Sequence, residues 1–67
     1  MNLIEGLQEE IKRVTEIKKQ YDELPKGAGA FGSAVMKVSI HNANKAIANM
    51  DTVAMVAALK DLKEYEL

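Results

Sequence analysis

Apolar residues recur every three or four positions along the first third of the chain. Residues 3–24 keep this spacing, which is that of one face of an α-helix. Asn2, with Glu5 three residues later, has the form of a capping box at the start of this helix. Pro25 disfavours helical geometry at the residue before it and ends the helix there. The pattern therefore predicts a first helix over residues 3–24.

The second predicted helix, over residues 30–49, carries two apolar stripes on different sides. One stripe contains Phe31, Ala34, Val35 and Val38, and the other contains Met36, Ile40, Ala43, Ile47 and Met50. A helix that is apolar on two sides needs two partners. We expect the first helix to be one partner, and either a third helix or another copy of the chain to be the other.

A third helix is predicted over residues 52–65, where Asp51 is a good N-cap residue. The resulting fold class is all-α, a single domain built as a three-helix hairpin or bundle. A 67-residue chain buries a small core, and without cysteine it has no disulfides to reinforce it. We therefore expect homo-oligomerisation to complete the core. The residues expected at the oligomer interface are Met36, Ile40, Ala43, Ile47, Met55 and Leu59.

Several classes of function find no support in the composition. The single histidine, His41, has no acidic residue near it in sequence and no cysteine to pair with, so we expect no enzyme, no metal site and no cofactor. The net charge of −1 argues against general nucleic-acid binding. Neither a membrane span nor a signal peptide is present in the pattern. We expect a cytoplasmic protein.

Charge is distributed unevenly along the chain. All ten acidic residues lie at or before Glu23 or at or after Asp51, whereas the stretch between them contains only basic charges. The second helix begins in a glycine-rich turn, where free amides and the positive end of the helix dipole favour anions. These features predict a phosphate-type site at this turn, with an aromatic ring available to stack on a base. The candidate ligand-binding residues are Tyr21, Lys26, Gly29, Phe31, Ser33, Lys37 and His41.

A simpler interpretation of the same residues stays open. The glycines would only form the turn, Phe31 would belong to the core, and the lysines would form a solvated face.

Four segments carry a resemblance to known sequences. They are Tyr21-Asp22-Glu23-Leu24-Pro25, the following Gly-Ala-Gly-Ala-Phe-Gly, Asn44-Lys45-Ala46-Ile47-Ala48 and Asp51-Thr52-Val53-Ala54-Met55. Together they resemble small open reading frames of phages and prophages. The helical hairpin is also similar to that of phage anti-defence sponges, which sequester cyclic nucleotides of host immune signalling as homo-oligomers. That likeness implies pockets between subunits, with lysines on phosphates and aromatic rings on bases.

Two functional hypotheses follow. The first is a phage-type binding protein that sequesters a nucleotide signal of host defence at subunit interfaces. The second is an inhibitor or adaptor that binds a host defence protein through surplus apolar surface. A structural accessory protein is a third option.

Overall fold

The computed structural model describes residues 2–66 and contains three α-helices. Helix α1 spans Leu3–Asp22, α2 spans Ala30–Ala48 and α3 spans Thr52–Lys63. A short 3₁₀ turn at Pro25–Gly27 lies in the first connection. No β-strand occurs within residues 2–66. The all-α, three-helix architecture predicted from the sequence is thus confirmed.

The predicted N-caps form as hydrogen bonds. The Asn2 side chain accepts a bond of 2.9 Å from the Glu5 amide, and the Asp51 side chain accepts one of 3.1 Å from the Ala54 amide. Each bond satisfies a backbone donor that has no partner within the helix. These two caps fix where α1 and α3 begin.

The end of α1 comes two residues before the predicted one. Leu24, with φ −67° and ψ 140°, is already extended. The ring of Pro25 enforces this conformation, because it clashes with a helical backbone at the preceding residue. The chain leaves the helix at Glu23, before that residue is reached.

A single apolar core lies between the three helices, and each helix contributes three residues to it. These residues are Leu7, Val14 and Ile17 from α1, Met36, Ala43 and Ala46 from α2, and Met55, Ala58 and Leu62 from α3. Alanine at three of the nine positions allows the α2 and α3 backbones to approach closely. None of the helices in the described residues has the length and apolar character needed to cross a membrane.

The residues expected at an oligomer interface are covered by the chain itself. Met36, Ala43 and Met55 are at most 3% exposed, so they have no surface for a second copy. The other three, Ile40, Ile47 and Leu59, are half-buried and pack against the same core. One wide stripe of α2 meets both α1 and α3, and a second copy of the chain is not needed to cover it.

Arg13 joins the middle of α1 to the end of α3. Its guanidinium donates to the carbonyl oxygens of Leu62, at 2.8 Å, and Tyr65, at 2.6 Å. It also pairs with Glu10 at 3.1 Å, and not with Glu9 as i,i+4 spacing alone suggests. The last carbonyls of a helix lack partners within the helix and favour a positive charge. Arg13 therefore acts as a side-chain cap of α3.

Candidate functional site

The predicted anion site lies where the end of α1 crosses the start of α2. Tyr21 is half-buried there, and its ring packs over Gly32. A Cβ atom at Gly32 would stand 2.6 Å from that ring, and one at Gly29 would overlap the Tyr21 carbonyl. These two glycines are therefore required for the close approach of the helices. Gly29 is buried in this contact.

Ser33 points towards α1, and its hydroxyl is already engaged. The Ser33 Oγ atom donates a hydrogen bond to the carboxylate of Asp22. The other oxygen of that carboxylate accepts a bond of 2.8 Å from Lys18 Nζ. The Lys18 ammonium, and after it the Ser33 hydroxyl, lower the pKa of Asp22 below its usual value of 3.8. Asp22 is therefore held in its ionised form.

A carboxylate of the chain thus occupies the place predicted for a phosphate. Ser33 lies in the first turns of α2, where the helix dipole favours a negative charge. Asp22 supplies that charge from the preceding helix. Asp22 is not among the residues predicted for this site from the sequence. Its i,i+4 spacing from Lys18 is typical of an ion pair along a helix, but nothing in the spacing indicates a contact across the turn with Ser33.

The basic candidates lie around this crossing and are all exposed. Lys37 is one turn beyond Ser33 on the same side of α2, and His41 is one turn further on. Lys26 lies in the connection, where it has φ 55° and is followed by Gly27 with φ 70°. Both residues are in the left-handed region, and together they reverse the chain direction between α1 and α2.

Phe31 is separated from the other candidates. It is two residues from Ser33 and therefore lies about 200° away around the axis of α2. The structure brings Tyr21, Gly29 and Ser33 together, with Lys37 on the same side. Phe31 lies on the opposite side of the helix and cannot stack on a ligand held by Ser33.

Phe31 instead belongs to an exposed apolar surface that also contains Val35 and Val38. We call this surface the α2 ridge. The three side chains are 83%, 39% and 59% exposed, respectively. The sequence pattern predicts that a partner covers this stripe, whereas the structure leaves it exposed. It lies on the side of α2 that turns away from the core, as do the exposed Asn42, Lys45 and Asn49 further along the helix. Helix α3 is also the shorter of the two, about 18 Å for 12 residues against about 28 Å for the 19 residues of α2.

The contact between Ser39 and Tyr65 marks where α3 ends along α2. The two hydroxyls are 2.8 Å apart and form a hydrogen bond. Tyr65 already lies beyond the last turn of α3, and Ser39 is in the middle of α2. The first half of α2 therefore has only α1 beside it, and its outer side remains in solvent.

Surface grooves are present in other places. One lies between the start of α1 and the end of α3 and is lined by residues that include Gly6, Glu10 and Lys63. Another lies between α2 and α3, with Asn42 and Asp61 among its lining residues. Neither contains a residue predicted to bind an anion. Within the described residues, no group of three acidic, histidine or cysteine side chains is placed to hold a metal ion.

Comparisons of the chain with protein-family models, with curated protein sequences and with solved structures found no match in any of the three.

Proposed function

We propose that this protein is a non-enzymatic interaction module that binds another protein through the α2 ridge. The observation that carries the proposal is the exposure of Phe31, the only phenylalanine of the chain. An aromatic side chain that is 83% exposed leaves most of its apolar surface in water, which is unfavourable. Burying such a side chain contributes about 1.5–3 kcal/mol. Aromatic anchors of this kind dominate the energetics of many protein interfaces.

The charges around the α2 ridge indicate the chemistry of the partner. Helix α2 contains no acidic residue, and its Lys45 lies seven residues beyond Val38, on the same face as the α2 ridge. The connection before it adds Lys26. A partner whose apolar side chains are flanked by carboxylates would match both properties. Opposite charges around an apolar centre favour fast association and the correct orientation.

Sequestration of a nucleotide signal is a second candidate, favoured by the same absence of acidic residues from residue 24 to residue 50. It agrees with the resemblance to phage proteins and would make the host defence signal the ligand. Such a ligand would have to displace Asp22 from Ser33 and to recruit Lys37. It could not use Phe31 in the same site of one chain. These requirements make it the less favoured of the two.

A pair of peptides tests the protein-binding proposal. Both are amphipathic helices with one apolar stripe, flanked by glutamates in the first and by lysines in the second. Fluorescence anisotropy should show binding of the glutamate peptide. Val38→Asp should weaken this binding at least tenfold, because the substitution places a charge in the contact.

Val53→Asp is the matched control for that experiment. Val53 is also exposed and apolar, but it lies on α3, outside the α2 ridge. Its substitution should leave the affinity within about twofold of the wild type. Equal binding of both peptides, or equal losses in the two variants, would exclude the α2 ridge as the binding surface.

Thermal unfolding with cyclic di- and trinucleotides separates the two candidates. A sequestering protein should be stabilised by several kcal/mol at saturating ligand, on the order of 1,000 times Kd. Lys37→Glu should remove that stabilisation and leave peptide binding unchanged. Stabilisation by a nucleotide without peptide binding would favour nucleotide sequestration over protein binding.

A further inference from the structure

Residues 2–66 contain three methionines, and these differ sharply in their exposure to solvent. Met36 and Met55 are 2% and 3% exposed and belong to the core between the helices. Met50 is 69% exposed. The sulfur of a methionine thioether is open to oxidation, which turns the apolar side chain into a polar one. The fold therefore shields two of these sulfur atoms and leaves one side chain open to solvent.

The position of Met50 between two helices explains its exposure. Helix α2 ends at Ala48, and the backbone bonds of Met50 and Asp51 to α2 carbonyls close that end. Helix α3 begins only at Thr52, so Met50 belongs to the turn between the helices. The left-handed φ of Met50 is typical of a glycine at this position. The turn itself therefore does not need a large apolar side chain.

An open groove of about 410 Å³ lies beside Met50, at the end of the bundle where α1 begins. It is lined in part by Leu3, Ile4, Thr52 and Met55. An oxidant as small as hydrogen peroxide has room to reach the Met50 side chain while the helices stay folded. Met55 borders the same groove but is covered, so an oxidant reaches its sulfur only after local opening.

We infer that Met50 is a site of reversible oxidative modification, at which a peroxide converts the thioether to a sulfoxide in the folded protein. A sulfur lone pair attacks one oxygen of the peroxide, and the O–O bond breaks. Sulfur gives up two electrons and keeps that oxygen. The other oxygen takes the proton of the transferred one and leaves as water. Methionine sulfoxide reductases restore the thioether.

The modification should change the surface of the protein and not its fold. A sulfoxide in a core disrupts packing. Met50 lies largely in water, so its sulfoxide keeps its hydration and displaces no core residue. Val53, which is 81% exposed, follows three residues later in the first turn of α3. Oxidation therefore makes an apolar part of the surface at this turn more polar.

Limited treatment of the protein with hydrogen peroxide, followed by mass spectrometry of fragmented peptides, tests the inference residue by residue. Under native conditions Met50 should gain one oxygen at least about tenfold faster than Met36 and Met55, because the buried residues react only after opening. A low concentration of urea should speed the reaction of the two buried residues and leave that of Met50 unchanged. Equal native rates for the three residues would overturn the inference.

Two variants assign the fast reaction. Met50→Leu removes the sulfur and keeps an apolar side chain, so it should abolish the fast reaction. Met55→Leu is the matched control and should leave it unchanged. A fast reaction that persists in Met50→Leu at another of the described methionines would remove Met50 as the site.

The oxidised wild type tests whether the fold tolerates the modification. Its far-UV circular dichroism should match that of the untreated protein, and its Tm should change by less than about 4 °C. Treatment with the two reductases, one for each sulfoxide epimer, should remove the oxygen from Met50. Loss of helix on oxidation of Met50, or an oxygen that both reductases leave in place, would overturn a reversible modification of the folded protein.

Discussion

Met50 adopts a backbone conformation that a side chain disfavours. Its φ is 52°, immediately after the end of α2. Its amide bonds to the Ile47 carbonyl at 3.0 Å, and the Asp51 amide bonds to the Ala46 carbonyl at 3.1 Å. These two bonds form the Schellman motif that closes many helices, in which the left-handed position is usually glycine.

Replacement of Met50 by glycine should therefore stabilise the protein. The left-handed conformation costs a residue with a side chain about 1–2 kcal/mol. Glycine itself loses more conformational entropy on folding, which costs about 0.5–1 kcal/mol of stability. We expect Met50→Gly to raise Tm by a few degrees in thermal unfolding, given about 4–8 °C per kcal/mol for a domain of this size.

Asn49→Gly is the control for that substitution, because Asn49 has a right-handed φ of −87°. It should lower Tm. A lower Tm for Met50→Gly would show that the exposed Met50 side chain makes contacts that outweigh its backbone strain.

Asp22 should make the stability of the protein fall in acid. Lys18 and Ser33 lower its pKa in the folded chain. The stability contributed by the ionised carboxylate is thus present above its usual pKa of 3.8 and is lost as the pH falls through the folded-state pKa. Urea unfolding of wild type and Asp22→Asn should differ most near neutral pH and converge towards pH 3. A difference that stays constant over this range would contradict the assigned contacts.

At the scale of elements, one side chain determines how α3 ends. The Arg13 guanidinium reaches two carbonyl oxygens there, those of Leu62 and Tyr65. Hydrogen bonds from a charged donor contribute about 1.5–3 kcal/mol each, with lower values where solvent has access. Arg13→Met keeps the apolar stem and removes the donors, and should cost about 1–3 kcal/mol in urea unfolding.

Lys12→Met is the matched control, because Lys12 is the exposed neighbour of Arg13 on the same helix. It should change the stability by less than about 0.5 kcal/mol. Equal effects of the two substitutions would show that the contact with α3 contributes nothing to stability.

The helices and their caps could be predicted from the sequence because both depend on local spacing. Asn2 and Asp51 act as caps through bonds to amides three residues away. The buried stripe of α2 could not be assigned this way. Both stripes have helical spacing, and the packing of the three helices decides that the one around Met36 faces the core and the one around Phe31 does not.

For the candidate site, the sequence predicts which residues lie near the turn but not which contacts they make across it. The structure brings Tyr21, Gly29 and Ser33 together at the turn between α1 and α2, and their role in ligand binding stays a prediction. The Ser33 bond to Asp22 joins two helices across that turn, and no period in the sequence encodes such a contact. Phe31 was grouped with them because it is near in sequence, although two residues along a helix point to nearly opposite sides.

As a whole, the molecule is elongated for its size. Its radius of gyration is 12.2 Å, whereas a compact chain of this length has about 11 Å. Its accessible surface of 4704 Å² also exceeds the roughly 4,200 Å² that its mass predicts. The bare first half of α2 contributes to this excess. The fold thus leaves apolar surface available without loosening its core.

Phe31 and Leu7 should therefore respond differently to substitution. Leu7 is fully buried, and Leu7→Ala should cost about 2–5 kcal/mol. Phe31→Ser should change the stability by less than about 0.5 kcal/mol in a dilute sample, because the side chain is largely in water. Chemical unfolding measures both. A loss above 2 kcal/mol for Phe31→Ser would place Phe31 in the core after all.

The bond of Arg13 to the far end of the chain also has a kinetic consequence. It joins residues 49 and 52 positions apart, whereas the contacts of α1 with α2 close over a short turn. Local helix pairs form early, and distant contacts need the ends to meet. We expect the hydrogen bonds of Arg13 to α3 to form after the folding transition state. Arg13→Met should therefore speed unfolding and leave the refolding rate almost unchanged in stopped-flow measurements. Slower refolding with an unaltered unfolding rate would mean that the chain ends meet before the barrier is crossed, and that α1 and α3 guide the folding of α2 between them.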